Sequence, residues 1–566
     1  MSLPQSGSPL ARPARLCAAG ALLLCGGCMT PEEAVDSADR QVYALVAERR
    51  AEMFDEVDGF SIAAPSNSLR QRLLNGEMGA LDAVVALNLE DCLEIASENN
   101  RQYQSQRESL FLAALDLTLE RWRFGWQPTV GAGASANGTV DGDSGSVGVD
   151  GGASLSRLFG NGGRLLLNFG TGLFRAIANG DGWDAVSDFS VSWTQPLLRG
   201  SAREVVLEPL TQAERNLVYS VRNFERFRRT FALDVANRYY NLALTRQNVL
   251  NERANVEVLD LLSRRNKAFA EAGKLSDLEA SEAEQDLISS QNRLLSLEAN
   301  FQSQLDSFKF FLGLPIEVQI GIDPEGLNQL GIGNQVAVEE IDQQQLFQLA
   351  LQQRLDYLNE VERLVDSERR ARIAADDLKM GLDLSAGLNG GSEEGRPLAY
   401  RSDGSTWNIG LDLDLPVDQL PERNSYRRAL ISLQSAQRDL IEFQDSIHAD
   451  IRDALRELEL AELTYELQKQ TVELNERRAK NANMNLEAGR LDTESFLRAQ
   501  RDLTAGRNAF VAASVDYTLA RLQLFQNLEL LTVSETGLTI DWDALPASAM
   551  PEAPEQDSQA NEEDGE

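Results

Sequence analysis

Apolar positions recur every seven residues along three stretches of this chain. Leu210, Leu217, Phe224 and Phe231 form the first run, and Leu287, Leu294, Phe301 and Phe308 the second. Leu503, Phe510, Tyr517 and Leu524 form the third, which Phe496 and Leu531 extend in both directions. A sustained repeat of seven predicts helices that supercoil, because 3.5 residues per turn keeps one seam facing its partner. Residues 423–486 contain neither proline nor glycine. As one helix they would reach roughly 95 Å at about 1.5 Å per residue. The segment 207–272, broken only by an early Pro209, reads the same way. Helices of that length exceed any compact core and must lie against other long helices.

Between the helical stretches the period changes to two. Residues 128–200 are rich in Gly and Ser and alternate, as in Thr129-Val130-Gly131-Ala132-Gly133 and Phe189-Ser190-Val191-Ser192-Trp193, ending at Pro196. Leu382-Asp383-Leu384-Ser385 and Ile409-Gly410-Leu411-Asp412-Leu413-Asp414-Leu415 alternate more strictly and end at Pro416. Such alternation fits strands with a lipid face and a lumen face. Trp126, Trp193 and Trp407 lie near the strand ends, where indoles favour a membrane interface.

The chain is written twice. An offset of 216 superposes Ala272-Gly273-Lys274-Leu275 on Ala488-Gly489-Arg490-Leu491, Asp234 on Asp450, Asp286-Leu287 on Asp502-Leu503, and Leu312 and Leu314 on Leu528 and Leu530. Each copy reads as strands followed by two long helices. Two wall strands per copy make four, and the extra material at 141–182 reads as an external loop or hairpin.

Composition narrows the function. The formal charge of −35 over 566 residues leaves no basic patch for nucleic acid. It suits a solvated exterior or a cation-attracting lumen. No apolar run reaches the length of a membrane-spanning helix, which leaves a β-barrel open. The one histidine, His448, sits among Ile447, Ile451 and Leu455 at helical spacing, so packing or exposure explains it better than catalysis. Three of the four cysteines lie in the first 28 residues, and Cys92 reads as a buried apolar residue. Nothing here assembles an active site, a metal site or a cofactor loop, so the chain is read as a non-enzyme without cofactors.

Residues 1–27 read as a signal peptide: Arg12 and Arg15, then a short apolar run from Leu16 to Leu24. The sequence Leu24-Cys25-Gly26-Gly27-Cys28 is similar to a lipoprotein cleavage box, with Cys28 as the lipidated (palmitate-bearing) residue, although Cys25 stands where an aliphatic residue is usual. Ordinary cleavage beside an incidental cysteine is the alternative. Residues 28–86 read as an acidic, helical periplasmic extension. Residues 542–566 read as an acidic disordered tail.

Several segments together carry a family resemblance. Leu87-Asn88-Leu89-Glu90-Asp91-Cys92-Leu93-Glu94-Ile95-Ala96, followed by Asn99-Asn100, resembles the opening helix of the TolC outer-membrane efflux family, with Cys92 in place of the usual Ala. Gln195-Pro196-Leu197-Leu198-Arg199-Gly200 resembles that family's strand-to-helix exit. Ala272-Gly273-Lys274-Leu275-Ser276-Asp277 and Ala488-Gly489-Arg490-Leu491-Asp492-Thr493 resemble its two hairpin tips, and Phe311-Leu312-Gly313-Leu314-Pro315 the end of its first repeat. The match spans about 87–541.

The resemblance implies a mostly α protein with a transmembrane β part: an internally duplicated strand-strand-long-helical-hairpin unit. The first repeat would cover 87–320, with strands at about 128–200 and a hairpin at about 203–312. A linker would cover 321–345. The second repeat would cover 346–541, with strands at about 380–416 and a hairpin at about 423–531. Too few strands per chain to close a barrel force oligomerisation. Two or three copies would do on strand count, and the resemblance implies a homotrimeric β-barrel continuing into a periplasmic α-helical barrel. It further implies a lipid-anchored outer-membrane exit channel for efflux or type I secretion. Its partners would be outer-membrane lipid, a periplasmic adaptor protein and an inner-membrane RND or ABC pump.

The tips are the candidate sites. Gly273 and Gly489 permit the tight turn, and Ser276 and Asp492 suit the N-cap of the returning helix. Adaptor contact is expected at Gly273, Lys274, Leu275, Ser276, Asp277, Gly489, Arg490, Leu491, Asp492 and Thr493. In the family, acids six and nine residues past the second tip's glycine narrow the aperture. Ser495 and Arg498 stand there instead. Gate candidates are therefore Arg490, Glu494 and Arg498, with Glu279 and Glu282 at the matching places in the first repeat; solvated helix surface is the competing reading. A passive porin and a periplasmic coiled-coil scaffold remain the alternatives in function.

Overall fold

The structure is a computed structural model that describes residues 29–54, 59–63, 85–138, 145–176, 183–323, 343–393, 396–400, 404–534 and 537–541. The leader with Cys28, the acidic tail and most of the linker lie outside the described residues. In chain order the elements are α1 (Pro31–Met53), β1 (Val85–Leu87), α2 (Leu89–Asn99), α3 (Arg101–Arg123), β2 (Gln127–Gly138), β3 (Gly145–Leu158), β4 (Arg164–Ala176), β5 (Asp184–Pro196) and α4 (Arg203–Val206). They continue with α5 (Glu208–Glu271), α6 (Asp277–Phe311), β6 (Ile320–Ile322), α7 (Gln343–Gln353), α8 (Leu355–Asp376), β7 (Gly381–Glu393), β8 (Arg396–Tyr400) and β9 (Thr406–Asp414). The last are α9 (Leu420–Glu487), α10 (Thr493–Asn527), β10 (Leu531–Ser534) and β11 (Gly537–Ile540). The chain divides into two units, one holding the large sheet (109–221 and 381–414, with the N-terminal part) and one holding most of the long helices (62–108, 222–380 and 415–566).

In the first unit β2, β3, β4, β5 and β7 pair in that order, all antiparallel, and β9 completes the run against β7. The first repeat therefore contributes four strands to this sheet, where two were expected. Of the loop or hairpin expected around 141–182, residues 145–176 form the hairpin, and its two strands pair along their length within the same sheet. Leu165-Leu166-Leu167-Asn168-Phe169 of β4 reads as strand in the sequence, whereas the Gly and Ser of β3 lower β-propensity there. Around the strand exits, Leu197 donates its N–H to the Leu382 carbonyl at 2.7 Å, and Arg199 pairs with Asp414 at 3.0 Å. The N-terminal helix α1 packs Tyr43 edge-on against Phe111, ring centroids 5.9 Å apart.

In the second unit the two long hairpins carry the heptads. Phe496, Leu503, Tyr517 and Leu524 are buried on α10; Leu531, expected to extend that run, is buried too but opens β10, whereas Leu287, Leu294 and Phe301 are only half-buried. The main core joins Leu346 and Ala350 of α7 to Ile447, Ile451 and Leu458 of α9 and to Tyr517, Leu524 and Phe525 of α10. His448 lies against Phe347, centroids 4.1 Å apart, a packing role. Cys92 is fully buried, and burial, with Asp91 beside it, pushes its thiol up to about 12, so it is an inert apolar residue. Two small sheets flank this core: β1 with β6, parallel, and β10 with β11, antiparallel. Pro209 and Pro421 sit in the first turns of α5 and α9, where a missing N–H costs nothing.

Candidate functional site

The duplication is visible in the hairpin tips. After α5, Gly273 takes φ +65°, and after α9, Gly489 takes φ +67°. Each follows a Schellman end: Lys274 N–H donates to the Phe269 carbonyl, and Arg490 N–H to the Asn485 carbonyl, both at 2.8 Å. A Cβ on either glycine would meet open space, so the positive φ alone demands glycine there. The returning helices are capped differently. Ser276 and Glu279 form a reciprocal capping box on α6. On α10, Asp492 accepts from Ser495 N–H at 2.6 Å and from its hydroxyl at 3.1 Å. Those bonds hold the exposed Asp492 carboxyl below its ordinary value.

The gate candidates divide accordingly. Glu279 is occupied by the cap, its Oε2 taking the Ser276 hydroxyl at 3.0 Å. Ser495 is the second cap's partner. Arg498 pairs with Glu494 one turn away at 2.8 Å, both exposed. Arg490 projects from the tip as exposed surface, and Glu282 is half-buried on α6. Lys274, Asp277 and Arg490 are exposed and Leu275 and Leu491 partly covered, while Thr493 is buried. The reason is a bond that sequence reading missed: Asn266 of α5 donates Nδ2 to Thr493 Oγ1 at 3.0 Å, tying the two tips together. Leu259, Leu262, Ala283, Leu486, Phe496 and Leu497 form the apolar cluster around that bond.

A second missed feature lies at the other end of the second hairpin. Glu529 has φ +62°, the one non-glycine with positive φ among the described residues. The offset of 216 maps it onto Gly313, φ +76°, so the repeat alignment held the clue. Both close a Schellman end; Leu530 N–H donates to the Phe525 carbonyl at 2.9 Å. The Glu529 side chain is fully buried between Arg226, whose guanidinium donates to Oε2, and Arg229, at 3.2 Å from Oε1. Arg226 also pairs with Asp356 at 3.0 Å, and Arg354 holds Asp356 at 2.9 Å and Asp450 at 3.4 Å. Burial raises the Glu529 carboxyl despite the two arginines. Asp356 faces the same burial, but its bonds to Arg354 and Arg226 outweigh it and hold that carboxyl low.

The sheet supplies the third component. Its register lines up one row as Trp407, Leu388, Val191, Leu167, Leu155 and Pro128, and the adjacent row as Thr406, Asn389, Ser190, Asn168, Ser154 and Thr129. Adjacent rows point to opposite faces, so one side is apolar and the other polar across six strands. Val130, Trp407, Ile409, Leu411 and Leu413 are exposed on the apolar side. No described helix is long and apolar enough to cross a membrane.

No family model and no curated protein matches this sequence. Solved structures do. The outer-membrane channel CmeC of Campylobacter jejuni is similar at 15% identity over 85% of this chain and 91% of its own, with a TM-score of 0.57. The outer-membrane protein VceC of Vibrio cholerae matches at 15% identity over 78% and 96%, TM-score 0.56. The open-state MtrE outer-membrane channel of Neisseria gonorrhoeae matches at 13% identity over 78% and 88%, TM-score 0.55. The chain has the fold of outer-membrane channels. It is the TolC-type fold that the tip and repeat-end motifs resemble.

Proposed function

We propose that this chain is the outer-membrane exit channel of a tripartite efflux or type I secretion system. It conducts substrates handed over by a periplasmic adaptor and an inner-membrane RND or ABC pump, and performs no chemistry on them. The observation that carries this reading is the sheet: apolar on one face and polar on the other, with long helical hairpins in the same chain. A periplasmic scaffold needs no lipid-facing sheet, and a passive porin needs no long hairpins. Exposed apolar residues at heptad spacing on α9, Leu460, Leu467 and Leu474 at 66, 63 and 58%, support further copies packing alongside. The assembly is a homotrimer, anchored to the outer membrane through lipid on Cys28, with the hairpin tips meeting the adaptor.

The test is direct. Purified from outer membranes, the chain should run as a heat-dissociable trimer and give single-channel conductance in planar bilayers. Palmitate labelling should mark the wild type and not Cys28→Ala. Absence of both oligomer and conductance would refute the channel reading, and equal labelling would refute the anchor.

A further inference from the structure

We propose that β3 and β4 are membrane wall, so that each copy contributes six strands to the barrel and a trimer closes eighteen. This rests on the oligomeric channel reading above and goes beyond it, by setting the width of the duct and the class of cargo it admits.

Three observations carry it. First, β3 and β4, with 14 and 13 residues, are long enough to cross a bilayer at the usual tilt, which takes about 9–11 residues per strand. Second, both sheet faces continue through them. Leu155 and Leu167 complete the apolar row, and Ser154 and Asn168 complete the polar one, where Asn168 Nδ2 donates to Ser190 Oγ at 3.1 Å. Val149, Leu173 and Phe169 lie on that same apolar side and are exposed. A hairpin standing in water has no reason to keep an apolar face in register with its neighbours.

Third, the ends of the sheet suit each other. β2 pairs only with β3, and β9 only with β7, among the described residues. An open edge within lipid leaves backbone groups without partners, so each must close on another strand. Six alternating strands leave the first and last running in opposite directions. The β2 edge of one copy can therefore meet the β9 edge of the next as an ordinary antiparallel pair. Their apolar faces are complementary in size: Pro128, Val130, Ala132 and Ala134 on β2 against Trp407, Ile409, Leu411 and Leu413 on β9.

Barrel diameter grows roughly linearly with strand number at fixed tilt. With strands about 4.8 Å apart and tilted about 40°, eighteen give a backbone diameter of about 36 Å, against about 24 Å for twelve. The barrel then passes folded or bulky solutes, such as small proteins or large glycans, as well as small amphiphiles.

Single cysteines on β4 test the placement in the membrane-embedded oligomer, with a membrane-impermeant maleimide as probe and the unsubstituted chain as baseline; Cys92 is fully buried and does not compete. Asn168→Cys should label from the lumen, while Leu167→Cys and Phe169→Cys should not. Equal labelling of all three would overturn the proposal and return 145–176 to the outside. Deleting 145–176 should narrow the backbone by about one third in diameter and lower the size limit for polymers entering from the outer side by more than that, because the inward side chains take up the same width in both barrels. An unchanged limit in an intact channel would also overturn it. If that deletion fails to assemble, the labelling still decides. If the wild type itself neither oligomerises nor conducts, the channel reading fails, and labelling of all three positions would then take the wall strands with it.

Discussion

Glu529 offers the sharpest test of how the duplicated halves diverged. The first repeat closes with Gly313, where a Cβ would fall 2.3 Å from the Asn99 carbonyl oxygen, so only glycine fits. The second repeat closes with a glutamate in the same left-handed conformation, which costs roughly 1–2 kcal/mol relative to glycine. The carboxylate offsets this through Arg226 and Arg229. Removing one partner of a buried ion pair costs about 3–5 kcal/mol. Here the loss should be smaller, about 2–4 kcal/mol, because Arg226 keeps Asp356 at 3.0 Å. Glu529→Ala bears that loss and keeps the strained φ. Glu529→Gly bears the same electrostatic loss and relieves the strain. Urea denaturation followed by helical circular dichroism should therefore rank wild type above Glu529→Gly, and Glu529→Gly above Glu529→Ala by about 1 kcal/mol. Equal midpoints for the two variants would refute the strain argument. Midpoints matching the wild type would refute the role of the ion pairs.

Asp356 predicts a pH dependence. Its folded carboxyl is held below the ordinary 3.8, so its contribution is present above that value and lost as pH falls through the folded one. Glu529 is shifted the other way by burial, so the extra stability of its protonated form is present below 4.5 and lost as pH rises through its folded value, leaving the charged form held only by Arg226 and Arg229. Asp356→Asn should thus be less stable at neutral pH and show a shallower acid limb; an unchanged acid limb would exclude Asp356 from this role. Gly489→Val should leave trimers at normal abundance but reduce export, because it strains the tip turn by roughly 1–2 kcal/mol without a clash; normal export would place adaptor contact elsewhere. Arg498→Glu breaks the pair with Glu494 and, in the proposed trimer, sets like charges around the threefold axis. Bilayer recordings should show raised conductance, and high salt a weaker rise in the wild type. No change in either would make Arg490, Glu494 and Arg498 solvated surface only.

What the linear sequence determined is whatever local periodicity and the repeat encode. The heptads, the strict alternation at 382–415 and the paired Ala-Gly-Lys/Arg-Leu tips specify long hairpins and strands before any coordinates. Gly273 and Gly489 announce positive φ, and Ser276 and Asp492 announce caps, because these depend on a few consecutive residues. The tertiary structure alone decided the rest. Residues 145–176 joined the sheet through cross-strand register with the strands on either side, and a glycine-rich stretch such as β3 does not advertise that register. Asn266 met Thr493, and Arg226 and Arg229 met Glu529, across 227, 303 and 300 positions of chain. Such contacts have no local signature, since their free energy comes from burial and desolvation that only packing creates.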